Sequence, residues 1–354
     1  MTYNHSAYII EAMDGFCMQH TDFPYICIII DDASTDGEPE VIIKYIEENF
    51  KLEDRTIACF EETDDYKLTF AQHKTNKKCY FAFFSLKYNH YSIKKRKSPY
   101  WQRWSDTKYI ALCEGDDYWT DPSKLQMQVD FLETHPDYTM VCNRTKLYSE
   151  RKKAFIGENY CYNRNRTIMT KDIIYRSGLF ISTCSIVYRK NIQAEYPDYC
   201  RKCKVGDYPL QIMAAVKGKV YYFNDIMSVY RVDNNSSWMS TQKWRSVEPK
   251  NLERIDSMIN MFKGFAADYP KYNRFFYNKI AHYLTVQSPS RFLNNESDLK
   301  FFENHYKEEY RRFPLLWKFI NKLKTTDIPG LRGYYSVYTK PYFDRFESKS
   351  LRYK

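Results

Sequence analysis

The sequence predicts an α/β protein with a mostly parallel, mixed sheet flanked by helices, and three observations support this. Helical and strand-like segments alternate through the first hundred residues, as they do in parallel α/β sheets. Tyr25–Ile30 is a continuous run rich in isoleucine, which is typical of a strand buried on both faces. The apolar run Tyr109–Cys113 ends abruptly in three acidic residues, Glu114, Asp116 and Asp117.

The spacing of apolar residues predicts the remaining elements. Tyr8–Gln19 has helical spacing, and Pro39–Phe50 predicts a second helix whose capping residues lie in Ser34–Asp36. Thr56–Phe60 predicts a short strand. The same criteria predict later helices over Pro122–Thr134, Thr170–Arg176 and Val205–Lys217, and later strands over Thr139–Cys142, Leu179–Tyr188, Val220–Phe223 and Val229–Arg231.

Residues 61–108 combine an acidic start, Glu61–Asp65, with a basic, aromatic stretch, Lys74–Lys97. Such a stretch can bind nucleic acid through stacking and phosphate contacts. It can also be a solvated face, or a helical insertion over a nucleotide cleft. We favour a divergent helical insertion because the acidic cluster directly follows it.

Beyond residue 236 the strand patterns give way to charged, aromatic segments with helical periodicity. We therefore expect a domain over residues 1–240 and a mainly helical extension over residues 241–354. Within that extension, Leu316, Phe319, Ile320 and Leu323 share one face of a basic helix. This helix can dock on the rest of the protein or lie in an anionic membrane interface.

Composition limits the class of protein and its partners. The chain has 354 residues, 44% of them hydrophobic, and a net charge of +10. The apolar content excludes global disorder, and the charge suggests an anionic partner such as nucleotide phosphate, nucleic acid or membrane. Ten scattered cysteines and no apolar run of membrane-spanning length predict a reduced, cytoplasmic protein, soluble or peripheral to a membrane.

The acidic stretch after Tyr109–Cys113 is the strongest candidate site. Acids at the carboxyl end of a strand lie where open α/β sheets bind ligands, and Gly115 allows the backbone to turn there. Crowded carboxylates repel one another unless a cation lies among them, and their hard oxygens suit Mg²⁺ or Mn²⁺. The alternative is a solvated acidic turn.

Four motifs occur in an order that resembles family-2 glycosyltransferases of the GT-A fold. They are Thr2-Tyr3-Asn4, Asp31-Asp32-Ala33-Ser34-Thr35-Asp36, Glu114-Gly115-Asp116-Asp117 and Gly206-Asp207. The resemblance covers residues 1 to about 235. The resemblance implies a Rossmann-like GT-A domain. It also implies inverting transfer of one sugar from a nucleotide-sugar to an acceptor hydroxyl, and a UDP-sugar is the expected donor.

The resemblance also assigns roles to individual residues. Asp116 matches the metal-binding acid of the family's D-x-D motif, and Glu114 stands where its first Asp is usual. Asp117 is a further contributor to nucleotide-sugar binding. Asp32 matches the acid that contacts the nucleotide base, and Thr2 and Tyr3 match the loop that packs on this base.

Two further roles follow from the same resemblance. Asp207, which follows Gly206 at the start of a helix, matches the general base that removes the acceptor proton. Its alternative is an ordinary acid at a helix N-terminus, stabilised by the helix dipole. Asp233 stands near the place where related sequences carry a histidine that approaches the metal, and it is a weak candidate ligand.

The family begins with an apolar strand before the Thr-Tyr-Asn loop, whereas this sequence starts at the loop itself. We therefore expect a start-site error or a truncation, with Thr2 and Tyr3 on a fraying terminus. The function implied is a hexosyltransferase-like step in surface polysaccharide or lipopolysaccharide synthesis, with a glycan or lipid-linked acceptor and peripheral membrane contact. The alternatives are a nucleotidyltransferase, or a non-catalytic module whose basic surface contacts membrane or nucleic acid; nucleic acid is the less favoured partner.

Overall fold

A computed structural model describes residues 1–104, 106–176, 180–233, 249–284, 301 and 304–312. The chain divides into two compact units. The first unit comprises Met1–Thr167, Ile181–Asn191 and Gly218–Thr241, and the second comprises Ile168–Phe180, Ile192–Lys217 and Gln242–Lys354. The division into domains at residue 240 stays a prediction.

The first unit contains four helices and the described strands, except for the last residue of β9. The helices are α1 (Ile9–Cys17), α2 (Glu38–Asn49), α3 (Ser98–Gln102) and α4 (Lys124–Thr134). The strands are β1 (Tyr25–Asp31), β2 (Cys59–Glu62), β3 (Tyr66–Gln72), β4 (Cys79–Leu86), β5 (Tyr109–Ala111), β6 (Tyr118–Trp119), β7 (Tyr138–Ser149), β8 (Ala154–Asn159), β9 (Arg166–Ile168), β10 (Val187–Arg189) and β11 (Lys219–Val232).

These strands form two mixed sheets. The first has the order β1-β4-β3-β2, and the second has the order β5-β10-β7-β11-β6, with β8 on β7 and β9 on β11. Strand β1 pairs in parallel with β4, and β7 pairs in parallel with β11. The pairs β5–β10, β10–β7, β11–β6, β2–β3, β3–β4 and β7–β8 are antiparallel. The α/β class with a mixed sheet is confirmed, but its mostly parallel character is wrong for the described strands.

The first sheet is covered by the two amino-terminal helices, as their apolar spacing predicts. Ile9 and Met13 of α1 and Ile42 and Ile46 of α2 are buried in one cluster with Phe81 of β4. Each of these side chains is at most 2% exposed. Burial of such side chains contributes roughly 1.5–3 kcal/mol each, so this cluster fixes the helices on β1 and β4.

The expected helical insertion is wrong between residues 66 and 86, because β3 and β4 form a hairpin there. Strand β4 is the parallel neighbour of β1, and its phenylalanines Phe81, Phe83 and Phe84 are at most 1% exposed. The strand was not predicted because the lysines on either side of it made the whole stretch look like a basic surface segment. Its apolar side chains are buried because β4 lies between β1 and β3 in the sheet.

Two predicted strands also differ from the structure. Thr56–Phe60 begins as a turn, since Asp54 accepts hydrogen bonds from the backbone of Thr56 (3.2 Å) and Ala58 (2.7 Å), and the strand starts only at Cys59. Within Leu179–Tyr188, the described part contains a 3₁₀ turn at Thr183–Ser185 before β10. Short hydroxyl side chains favour such turns by bonding to nearby backbone groups.

The second unit is helical in its described residues. Its helices are α5 (Thr170–Arg176), α6 (Asn191–Ala194), α7 (Asp198–Arg201), α8 (Asp207–Lys217), α9 (Pro249–Asp268), α10 (Asn273–His282) and α11 (Lys307–Arg311). Phe265 of α9 and Phe276 of α10 stack with their ring centroids 5.5 Å apart. The predicted interfacial helix around Leu316 and Ile320 lies outside the described residues. In the described ranges, no helix has the length and apolarity needed to cross a membrane.

Candidate functional site

The acidic turn follows β5 in the first unit, at the place the sequence predicts. Its three carboxylates differ sharply in exposure: Glu114 is exposed, the side chain of Asp116 is 13% exposed, and Asp117 is 1% exposed. The backbone amide of Asp117 donates to the carbonyl oxygen of Glu114 at 3.2 Å and closes the turn. Glu114 is therefore open to a ligand and Asp116 keeps a small accessible area beside it, whereas Asp117 faces the interior.

Gly115 allows the amino-terminal loop to lie directly against this turn. A Cβ atom at position 115 would be 2.2 Å from Oγ1 of Thr2 and 2.7 Å from its Cβ. These distances are far below van der Waals contact. Close approach, rather than an unusual backbone angle, is the reason this position requires glycine.

Thr2 is anchored rather than frayed, so that expectation is wrong. Its amide donates to the carbonyl of Ile30 at 2.9 Å, and the amide of Asp32 donates to its carbonyl at 3.1 Å. Its hydroxyl donates to the buried carboxylate of Glu38, and the residue is 4% exposed. Thr2 thus supports the site through its fixed position, while the neighbouring Tyr3 is 42% exposed.

His5 joins the amino-terminal loop to the acidic turn. Its Nδ1 lies 3.2 Å from Oγ1 of Thr2, and its Nε2 lies 3.9 Å from Oδ2 of Asp116. Sequence analysis missed His5, although a histidine in a polar loop between strand-like segments is a signal that could have marked it. The imidazole therefore lies beside the mostly buried carboxylate of Asp116, and its protonated form would be a nearby positive charge.

Hydrogen bonds join the loop after β1 to the amino-terminal loop. Ser34 Oγ accepts from the amide of Asn4 at 2.8 Å, and Asn4 Oδ1 accepts from the amide of Thr35 at 2.9 Å. Asp31, at the end of β1, is fully buried, and burial raises the pKa of its carboxyl to about 6. The two loops are therefore joined by hydrogen bonds, and the amino-terminal loop lies against the acidic turn through Thr2 and His5.

Asp32 is buried beneath the segment that follows β4. It is 3% exposed, and its carboxylate accepts hydrogen bonds from the backbone amides of His90 (2.7 Å) and Tyr91 (3.2 Å). The ammonium of Lys97 forms an ion pair with it. A nucleotide base that contacted this carboxylate would share it with these donors, so the predicted base contact stays a prediction.

Arg231 of β11 supports the acidic turn from the inside, a role that was not predicted from the sequence. The residue is 6% exposed. Its amide donates to Oδ1 of Asp117 and its Nε donates to the carbonyl of Asp116, each at 2.8 Å. Its guanidinium forms ion pairs with Glu11 and Glu150. Its position as a basic residue within the predicted strand Val229–Arg231 was the feature of the sequence that could have indicated this role.

Three tyrosine rings surround the guanidinium of Arg231. The ring centroids of Tyr8, Tyr118 and Tyr148 lie 4.7, 5.4 and 5.4 Å from its Cζ atom. Aromatic faces stabilise a desolvated cation electrostatically. With the two glutamates, they account for a buried arginine behind a turn that is itself acidic.

Burial governs the ionisation of Asp117. Its pKa is raised well above the ordinary value, first by burial and then by the neighbouring charges of Asp116 and Glu114. At 1% exposure it presents no solvent-facing oxygen to a ligand in this conformation. The geometry makes Asp117 an internal support of the turn, and its predicted nucleotide-sugar contact is untested.

The carboxylates of the acidic turn suit a cation that is also bound by a ligand, rather than a metal site made of protein side chains alone. Within the described ranges, no three His, Cys, Asp or Glu side chains are arranged to hold a metal ion. Mg²⁺ commonly takes one or two carboxylates, with phosphate oxygens and water as its other ligands. Asp116 and Glu114 fit this arrangement.

Asp233 lies at the end of β11 with other partners. Its Oδ2 accepts from the hydroxyl of Ser149 at 2.9 Å and lies 3.8 Å from Nη2 of Arg151. Its φ of 60° is in the left-handed region, which aspartate tolerates better than most residues. The structure does not group Asp233 with the acidic turn as a three-residue metal site, and its role as a ligand stays a prediction.

Asp207 belongs to the second unit and begins α8. Burial raises the pKa of its carboxyl, while the charge of Arg254 lowers it. A carboxylate whose pKa is raised in this way is a stronger base than an exposed aspartate. Its predicted role as a general base is compatible with this environment and remains untested.

Comparison with known proteins gives mycobacterial relatives. The uncharacterized protein Rv1520 of Mycobacterium tuberculosis is 31% identical over 270 residues, which cover 75% of this chain and 68% of that protein. The uncharacterized protein Mb1547 of Mycobacterium bovis matches with the same identity and coverage. No protein-family model matches the chain. The chain belongs to the same family as these mycobacterial proteins.

Proposed function

We propose that this protein is an inverting glycosyltransferase of the GT-A fold, similar to family-2 enzymes. It would move one sugar from a nucleotide-sugar, in the first instance a UDP-sugar, to an acceptor hydroxyl during synthesis of surface polysaccharide or lipopolysaccharide. The observation that carries the proposal is the acidic turn after β5. There Glu114 is exposed and Asp116 is partly accessible beside it, while Asp117 and Arg231 support the turn from within.

The proposed role of Asp116 and Glu114 is to bind the diphosphate of the donor through a divalent cation. A nucleoside diphosphate is a good leaving group only when its charge is neutralised, and Mg²⁺ or Mn²⁺ supplies that neutralisation when bound. The two carboxylates supply the protein's share of the ligands. Tyr3, which is 42% exposed, is the candidate to pack on the nucleotide base.

The transfer itself needs a base on the acceptor. In the proposed step, the acceptor hydroxyl oxygen bonds to the anomeric carbon of the sugar, and the bond from that carbon to the diphosphate oxygen breaks. The diphosphate leaves with the bonding electrons, and the hydroxyl proton passes to the carboxylate of Asp207. The raised pKa of Asp207 supports this role because it makes the carboxylate a better proton acceptor.

The direct test measures release of nucleoside diphosphate from a panel of nucleotide-sugars with Mn²⁺, by the full chain. Asp116→Asn should remove metal-dependent donor binding, and Asp207→Asn should lower turnover while donor binding, followed by thermal shift, is kept. Removal of one catalytic proton acceptor typically costs about 10²–10⁴-fold in rate. Unchanged release by both variants would show that the mechanism is wrong.

The chain offers a matched control for each variant. Asp64 is an exposed acid of the first unit, so Asp64→Asn should leave donor binding unchanged. Asp198 begins helix α7 and its side chain is 80% exposed, so Asp198→Asn tests whether any acid at a helix start has the effect expected for Asp207. Equal losses in a variant and its control would point to general charge effects.

A further inference from the structure

The segment Lys87–Lys97, here named the basic loop, exposes large apolar side chains among its basic residues. Residues Tyr91–Arg96 are all exposed. Tyr91 is 66% exposed and Ile93 is 57% exposed, so two large apolar side chains stand out close together in one loop. Single exposed apolar residues are common on protein surfaces, whereas a cluster within a basic segment indicates a contact surface.

The basic loop is held in place by its own hydrogen bonds. Asn89 Oδ1 accepts from the amide of Ser92 at 2.7 Å, and the carbonyl of His90 accepts from the amide of Lys95 at 2.9 Å. Asp32 binds the backbone of His90 and Tyr91 from below. The tip therefore presents Tyr91 and Ile93 in a defined conformation, and little ordering would be needed on docking.

The cations of the basic loop fall into two groups. Lys87 pairs with Glu62, Lys95 pairs with Asp65, and Lys97 pairs with Asp32. Lys94 and Arg96, which flank the tip, form no ion pair with any residue in the described ranges. The tip thus combines two apolar side chains with two uncompensated positive charges.

We propose that the tip of the basic loop docks on an anionic lipid surface, with Tyr91 and Ile93 in the interface and Lys94 and Arg96 against the headgroups. Apolar side chains that enter the headgroup region next to basic residues are typical of interfacial binding. Tyrosine suits this boundary because its ring is apolar and its hydroxyl remains hydrated. This docking does not depend on the proposed transfer reaction.

The ring contacts favour a lipid surface over a nucleic acid. The ring of Tyr88 stacks on His90, with centroids 4.9 Å apart and planes at 22°, and the ammonium of Lys95 lies 5.2 Å from its centroid. Although Tyr88 is 36% exposed, its ring is therefore already in contact with His90 and Lys95. A single-strand binding surface needs several free rings in succession, and an aliphatic Ile93 at the tip has no stacking role.

The test is flotation of the purified full chain with vesicles of phosphatidylcholine alone or with added phosphatidylglycerol. The wild type should float only with the anionic vesicles. Each basic residue near an anionic surface contributes about fivefold in affinity, so Lys94→Gln with Arg96→Gln should weaken binding about 25-fold. Tyr91→Ser with Ile93→Ser should abolish flotation, and both double variants should melt at the wild-type temperature.

Matched controls are available elsewhere on the first unit. The side chains of Lys44 and Lys108 are 77% and 74% exposed, and Phe60 is 47% exposed. Lys44→Gln with Lys108→Gln, and Phe60→Ser, should leave vesicle binding unchanged. The proposal is overturned if the wild type does not float, if the controls lose as much binding as the loop variants, or if the loop variants lose binding to RNA instead of to vesicles.

Discussion

Replacement of Arg231 by methionine removes the cation that holds the acidic turn while keeping an apolar side chain of similar length. Arg231 is 6% exposed, and its partner Glu150 is 8% exposed. Loss of one partner from a buried ion pair costs about 3–5 kcal/mol, because the remaining charge stays buried without compensation. The side chain of Glu11, in contrast, is 52% exposed, and an exposed pair contributes at most about 1 kcal/mol.

Lys153 also pairs with Glu150, and it retains part of the compensation in the variant. We therefore expect Arg231→Met to lower the free energy of unfolding by about 3 kcal/mol, the lower end of that range. Urea unfolding followed by tryptophan fluorescence measures this loss. Donor binding should weaken as well, since the carbonyl of Asp116 loses its 2.8 Å hydrogen bond from Nε of Arg231.

The matched control is Arg103→Met, which breaks the more exposed pair between Arg103 and Glu61. It should cost no more than about 1 kcal/mol. The additional change Glu150→Gln should recover part of the stability lost by Arg231→Met, because it removes the orphaned charge. The reasoning would be refuted by a loss below about 1 kcal/mol for Arg231→Met, or by no recovery in the double variant.

Three further predictions concern single positions. Gly115→Ala should destabilise the protein by about 1–3 kcal/mol, because the new Cβ would lie 2.2 Å from Oγ1 of Thr2; a variant with the wild-type urea midpoint would contradict this. Burial raises the pKa of Asp31 to about 6, so its ionisation penalises the folded state above that pH and has no effect below its ordinary pKa. Asp31→Asn should therefore gain about 1–3 kcal/mol over the wild type as pH rises from about 4 to about 7, and a difference that is constant with pH would count against it. The pKa of Asp207 is also raised by burial, and a general base must be deprotonated, so kcat/KM should fall with decreasing pH through a pKa above the ordinary aspartate value of about 3.9; an acid limb at that ordinary value would rule out this assignment.

The sequence was sufficient to predict an element where the spacing of apolar residues along the segment itself indicates a helix or a strand. The helical spacing of Tyr8–Gln19 and the isoleucine run at Tyr25–Ile30 predicted α1 and β1 to within a few residues. The position of the acidic turn was also predictable, because a short apolar run that ends in acids marks both a strand and its end. These predictions depend on neighbours in sequence.

Strand β4 shows why other elements could not be predicted. Its apolar residues lie between lysines, and the composition of Lys74–Lys97 as a whole indicated a basic surface segment. Only pairing with β1 and β3, which lie at other points of the chain, shows that Cys79–Leu86 is an interior strand. Sheet formation joins residues distant in sequence, so local composition does not decide it.

The sequence by itself determined that acids cluster after β5 and that a glycine separates them. It did not determine which of those acids faces a ligand, since Glu114, Asp116 and Asp117 are chemically similar and lie within four positions of one another. Tertiary structure decided this through Arg231, whose amide binds Asp117 from a strand more than a hundred positions away. The exposure and ionisation of a carboxylate depend on the charges and packing around it in space, and those become defined only when the chain folds.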